Sequence, residues 1–181
     1  MRIALLLAAL GAFTSAAGAR PPNVLVLFVD DLGWIHVGYQ GGRYSTPNID
    51  RLAAESLVFS RAYVAAPTCS PSRAALLTGR QPARLELTRH IPTGRKYGFD
   101  EFGRTDEEFH QWEGDVSGFR SRNWLPLGET TFAEALRPLG YRTAFFGKWH
   151  LGHEPYHPIR QGFDEQHGVS NIGHPGSYYP P

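Results

Sequence analysis

From residue 23 the chain reads Asn-Val-Leu-Val-Leu-Phe-Val and then stops abruptly at Asp30 and Asp31. A short, unbroken, β-branched-rich apolar run is the pattern of a strand buried on both faces of a parallel sheet. Such a sheet needs helices between its strands, and further segments fit that order. Thr46-Pro47 supplies a cap and a first-turn proline, followed by Ile49, Leu52, Ala53 and Leu57 at helical spacing. Phe59 to Val64 reads as a second strand. Ser70-Pro71 repeats the cap-then-proline start, and Gly79 supplies the stop, so a short helix is expected over Pro71 to Thr78 with Cys69 just before it. Thr131 and Glu134 make a capping box for a helix that Gly140 ends, and Tyr141 to Phe146 reads as a strand leaving through Gly147-Lys148-Trp149-His150. The expected fold class is therefore α/β, a doubly wound, mostly parallel sheet with helices on both faces. Residues 88–127 are rich in Gly, Arg, Asp and aromatics without a sustained period, which predicts a long surface excursion.

Doubly wound sheets gather their working groups beyond the carboxyl ends of the strands, and Asp30, Asp31, Lys148 and His150 all hold that kind of position. Adjacent carboxylates at the end of a buried strand are costly unless neutralised, which makes Asp30 and Asp31 candidate ligands for a hard cation, Ca²⁺ or Mg²⁺. A solvated loop or an Asx turn is the alternative reading of the same pair. Cys69 is the only cysteine of 181 residues, so it forms no disulfide within the chain and serves packing, intermolecular pairing or reactivity. At a helix start it faces unpaired backbone N–H groups that bind anions, and Arg73, one turn on, can fold back to clamp a tetrahedral oxyanion. A buried, inert thiol beside a surface arginine satisfies the spacing equally well. Lys148 and His150 alternate on an extended segment, the one a point charge for an anion and the other a proton carrier. His150, His153 and His157 complete no recognisable zinc spacing.

Composition narrows the setting. One positive charge at Arg2, an apolar stretch from Ile3 to Leu10 and small residues ending at Ala19 read as a signal peptide over 1–19, leaving 20–181 as the mature chain. That stretch is far below the roughly 20 residues that span a bilayer, and no later one approaches it, so no transmembrane segment is expected. Export follows, to a periplasmic, extracellular or lysosomal space. The formal charge of +1 falls to zero once Arg2 is removed, which leaves no basic field for nucleic acid.

Three blocks resemble the formylglycine-dependent sulfatases of the alkaline phosphatase superfamily. The first runs from Pro22-Asn23-Val24 through Asp30-Asp31-Leu32-Gly33-Trp34 to Thr46-Pro47-Asn48-Ile49-Asp50-Arg51-Leu52-Ala53. The second is Cys69-Ser70-Pro71-Ser72-Arg73-Ala74-Ala75-Leu76-Leu77-Thr78-Gly79, and the third is Gly140-Tyr141-Arg142-Thr143 to Gly147-Lys148-Trp149-His150 with Gly162-Phe163-Asp164 downstream. The resemblance implies an alkaline phosphatase-like fold and an arylsulfatase-like sulfuric ester hydrolase. It implies that a formylglycine-generating enzyme reads Cys-x-Pro-x-Arg and oxidises Cys69 to formylglycine. The hydrated aldehyde then attacks sulfur, and its second hydroxyl collapses to release sulfate, which splits one hard step into two. Asp30, Asp31 and the modified Cys69 would hold Ca²⁺, with Mg²⁺ as the alternative. Arg73 would stabilise the hydrated aldehyde, Lys148 bind sulfate, and His150 hydrogen-bond the nucleophile or assist its collapse. Ser170 or Asn171 would also reach the sulfate.

Departures from the family pattern are His36, where an acidic residue is usual, and the bulky Phe146 before Gly147. No Asp-Asn or Asp-His dipeptide supplies the family's remaining metal ligands. The expectation is an N-terminal part of the catalytic domain that alone binds Ca²⁺ weakly and turns over little. The alternatives are a phosphonate monoester or phosphodiester hydrolase of the same superfamily, and a catalytically silent exported binding protein on the same scaffold.

Overall fold

The computed structural model describes residues 21–173 except residue 115, so the signal-peptide segment lies outside the described residues. The chain divides into two compact units, Met1–Glu55 and Ser56–Pro181.

In the first unit, α1 (Pro47–Glu55) begins one residue after Thr46, as its Thr-Pro start predicts. The Thr46 hydroxyl accepts from the Gly38 N–H (2.7 Å) and donates to Asp50 Oδ1 (2.8 Å), so the cap side chain ties the incoming loop to the first turn. His36 turns back on the segment after the acidic pair, its Nδ1 accepting from the Gly33 N–H at 3.0 Å. The expected buried strand at 23–29 is corrected. No strand among the described residues pairs with it, and its side chains stand open to solvent, Leu25 at 83%. An extended run becomes a strand only when a neighbour takes its N–H and C=O groups. Phe59 to Val64, in the second unit, likewise forms no strand.

The core lies in the second unit. Its first helix, α2 (Cys69–Thr78), ends where Gly79 takes the left-handed conformation (φ 66°) and returns its N–H to the Ala75 carbonyl at 2.8 Å. Helix α3 (Phe132–Leu136) carries both bonds of the predicted capping box: Thr131 Oγ1 accepts from the Glu134 N–H and Glu134 Oε2 accepts from the Thr131 N–H. The Thr131 hydroxyl also donates to the Gln161 carbonyl at 2.7 Å, and Gln161 donates to the Leu125 carbonyl at 2.9 Å. These bonds fix α3 against two loops.

Among the described residues the sheet content is two pairs. Strands β1 (Phe109–His110) and β2 (Ser121–Arg122) are antiparallel. Strands β3 (Ala144–Lys148) and β4 (Glu165–Ser170) are parallel, from Ala144 opposite Glu165 to Lys148 opposite Ser170, with an irregularity between Phe146 and Lys148. Two 3₁₀ turns, Glu154–Tyr156 and Pro158–Gln161, rather than an α-helix, fill the β3–β4 connection. Ala74, Leu77, Leu85, Leu87, Leu125, Ala133, Trp149, Leu151 and Phe163 bury together, and Phe145 meets Trp149 and Phe163 edge-on at 5.1 and 5.5 Å. Residues 88–127 take part in this interior. Ile91, Phe99 and Leu125 are almost wholly buried, and the β1–β2 hairpin stands between the last two.

Candidate active site

Cys69 opens α2 rather than preceding it. The cap position falls on Thr68, whose side chain makes no capping bond, and Cys69 is the first helical residue. Ser70, expected as the cap, does something else: its buried hydroxyl accepts the Ile91 N–H at 3.0 Å. The Ile91 carbonyl in turn receives His150 Nε2 at 2.7 Å. One residue thus bridges the start of the cysteine helix to the segment leaving β3. A second bridge is direct, because Arg73 Nη1 donates to the Lys148 carbonyl at 2.5 Å. Together these bonds bring Cys69, Arg73, Lys148 and His150, which span more than eighty positions of sequence, to one place.

Local backbone explains why the third block carries its glycine. Gly147 sits at φ 91°, inside the β3–β4 irregularity, and His150 itself holds φ 55°. A non-glycine residue in the left-handed region is uncommon and must be held there. His150 is held by its N–H to the Ser170 carbonyl (3.2 Å) and by its ring on Ile91, with Trp149 anchored beside it. Gly173 completes the seat, since a Cβ there would stand 2.8 Å from His150 Cε1.

The His150 ring is 2% exposed, and its pKa falls to about 4, first through burial and then through the charges of Lys148, His90 and Arg73. It is therefore neutral near pH 7. Only a protonated nitrogen can face a carbonyl, so Nε2 carries the hydrogen and Nδ1 is left as a bare lone pair with no hydrogen-bond partner. Cys69 is partly exposed and Arg73 is buried to 9% exposure. A partly exposed sulfur, a buried guanidinium, a lysine and a buried neutral imidazole are the kinds of group that bind an oxyanion and pass a proton.

A model of the sulfatase family matches residues 22–179. The chain belongs to the sulfatase family. Among curated sulfatases, N-acetylgalactosamine-6-sulfatase of Canis lupus familiaris is 42% identical over 180 residues, covering 98% of this chain and 30% of that protein. Arylsulfatase G of Rattus norvegicus is 38% identical over 171 residues, 90% of this chain and 28% of that one. This sulfatase chain thus spans about a third of the length of the curated relatives it matches. Among solved structures, BT33336S-sulf, described under glycosaminoglycan metabolism by Bacteroides thetaiotaomicron, superposes with a TM-score of 0.61 at 31% identity. It covers 82% of this chain and 28% of that one. Ps i-CgsB in complex with k-i-k-neocarrahexaose gives 0.57 at 36% identity, with 76% and 25% covered. The sulfatase α/β fold follows from these superpositions.

Within that family setting, two expected positions need restating. Asn171 is buried, its Oδ1 accepting the Gly152 N–H (3.0 Å) and its Nδ2 donating to the Gly103 carbonyl (2.7 Å), so its side chain ties two loops together. Ser170 Oγ accepts the Ile172 N–H at 2.9 Å. Asp30 and Asp31 stand in the first unit, Asp31 in a turn at φ 54° and exposed. Among the described residues no group of three or more His, Cys, Asp or Glu side chains forms a metal cage, so the pair offers two carboxylates of the kind a hard cation takes. Sequence reasoning missed Ser70, Ile91 and His90. Ser70 was legible only as a cap, and nothing in the pattern of residues 88–91 announces that their backbone joins two distant motifs.

Proposed function

We propose that this chain carries the nucleophile end of a sulfuric ester hydrolase of the arylsulfatase type. The observation that supports it is the double bridge, Ser70–Ile91–His150 and Arg73–Lys148, which gathers the residues of two separate sulfatase blocks around Cys69. Formylglycine made from Cys69 by a modifying enzyme would supply, when present, an aldehyde hydrate with one hydroxyl to attack sulfur and a second to expel the sulfate again, which a serine lacks. The chain's own residues do the rest. Arg73, buried and fixed to β3, holds positive charge beside the helix start, where backbone N–H groups also favour an anion. Lys148 adds a second cation for a sulfate oxygen. His150, seated on the Ile91 carbonyl, is by family likeness the residue that would hydrogen-bond the nucleophile at position 69 or assist its collapse. Asp30 and Asp31 are the carboxylates that would hold a divalent cation, Ca²⁺ by family likeness, which would polarise a sulfate oxygen.

The sheet around this site is taken to be doubly wound in the complete domain, and the chain to be exported behind residues 1–19. No helix among the described residues is long and apolar enough to cross a membrane. The names of the relatives point to sulfated sugars as the substrate class.

Mass spectrometry of the tryptic peptide from Ala62 to Arg73 tests the first step. In a host that has the modifying enzyme, the peptide is expected to carry an aldehyde in place of the thiol. An intact thiol in that host would contradict the reading and favour a silent scaffold.

A further inference from the structure

Asn171 follows β4 directly, is 3% exposed, and has both ends of its carboxamide engaged. Oδ1 accepts from Gly152 and Nδ2 donates to Gly103. The orientation admits no flip, because a reversed amide would set N–H against N–H at Gly152 and oxygen against oxygen at Gly103. An aspartate in its place would lack the donor, and a leucine both bonds.

The segment it grips is the one that carries His150. Trp149 and His150 both give their N–H to the Ser170 carbonyl, at 3.3 and 3.2 Å, and the Leu151 carbonyl accepts the Leu125 N–H at 3.0 Å. His150 sits at φ 55° and Gly152 at φ 116°, so the chain leaves β3 through two left-handed residues with the buried Leu151 between them. Glycine takes that conformation freely, whereas a histidine does so only when its surroundings hold it. One carbonyl shared between two long bonds is a modest hold. The shorter bond from Gly152 to Asn171 closes the turn at its other end.

At its far end Asn171 rests on a braced turn. Asp100 Oδ1 accepts the N–H groups of Phe102 (2.9 Å) and Arg104 (2.8 Å), and Oδ2 takes Arg104 Nε at 2.6 Å. The Gly103 N–H returns to the Asp100 carbonyl at 3.1 Å, and Gly103, at φ 74°, gives its own carbonyl to Asn171.

We propose that Asn171 is a positioning residue for His150: it clamps the left-handed exit of β3 to the 100–104 turn and so keeps the imidazole on the Ile91 carbonyl. The consequence for catalysis rests on the sulfatase reading above, while the hold itself does not. Arg73 and Lys148 are joined by their own bond, so binding of sulfate is separable from the alignment of His150.

Amide-resolved hydrogen exchange on the full-length protein tests the hold. In the parent protein the Gly152 amide should exchange within about threefold of the His150 amide, because one clamp opens both. A freely exchanging Gly152 amide would overturn the proposal before any substitution is made. In Asn171→Ala, exchange at His150 and Gly152 should rise at least about fivefold relative to the Leu77 amide in α2, the worth of one hydrogen bond. The kcat for 4-nitrophenyl sulfate should fall about tenfold or more with KM changed by less than about threefold. Thr131→Ala, a destabilising change at the start of α3, should leave the exchange ratios and kcat within about twofold of the parent. Unchanged exchange ratios in Asn171→Ala, or a loss of kcat that Thr131→Ala reproduces, would make Asn171 an ordinary core residue and overturn the assignment. The parent measurement needs no variant and the exchange ratios need no turnover, so they decide the role of Asn171 whatever becomes of the hydrolase reading.

Discussion

At the scale of single residues, His150 shows how position sets chemistry. Its ordinary pKa lies near neutrality, but burial and three neighbouring cations take it to about 4. The sign of the consequence is fixed by linkage. The unfolded chain binds a proton on this ring below about pH 6.5 while the folded chain does not, so the stability it contributes is complete above that pH and drains away as pH falls toward 4. The loss is on the order of 3 kcal/mol when complete. Urea unfolding at pH 7 and pH 4.5 should show it, and His150→Gln should flatten that part of the profile. An unchanged profile in the variant would mean that His150 is not the titrating group. Gly173→Ala offers a second probe, because its Cβ would stand 2.8 Å from the His150 ring and push it off Ile91. Turnover should fall in this variant even if the fold is retained, as judged by circular dichroism.

Helices and turns were the elements most legible in the sequence. The capping box at Thr131 and Glu134 and the glycine stop at Gly79 are local codes, written within four residues and read without tertiary context, while Gly140 ends the 3₁₀ turn Arg137–Leu139 that follows α3 rather than α3 itself. Thr131→Ala removes both a cap and a buried donor to Gln161, and should cost about 2 kcal/mol in chemical denaturation. Gly79→Ala, which forces a Cβ into φ 66°, should cost about 1 kcal/mol. Strands were less legible for a physical reason. Val24 to Val29 and Phe59 to Val64 have strand composition, but a strand is completed by its neighbour, and neither run has one among the described residues. Ala144–Lys148 succeeded because Glu165–Ser170 lies alongside. The start of α2 was read two residues too late for a related reason: Ser70 looked like a cap by type, and its tertiary bond to Ile91 drew it into the interior.

For the whole molecule, the site residues were named by motif while their convergence came from the fold. Cys69 and Arg73 are far in sequence from Lys148 and His150, and the backbone of Ile91 and the Lys148 carbonyl are what join the two pairs. Neither is visible in a residue pattern, because any side chain can carry a backbone bond. The His90, His110 and Trp112 rings meet within a segment whose sequence predicts a long surface excursion, because residues about twenty apart cannot be paired from an aperiodic pattern. The central claim is that Cys69, once converted, drives cleavage of sulfate esters. It is tested most directly by the rate of sulfate release from 4-nitrophenyl sulfate by the full-length protein made together with the modifying enzyme, measured beside its Cys69→Ala variant and against an aryl phosphonate. The account predicts clear sulfate release that drops by about a thousandfold or more in the variant, with the phosphonate the poorer substrate. A variant as fast as the parent, or a phosphonate cleaved in preference to the sulfate, would contradict it.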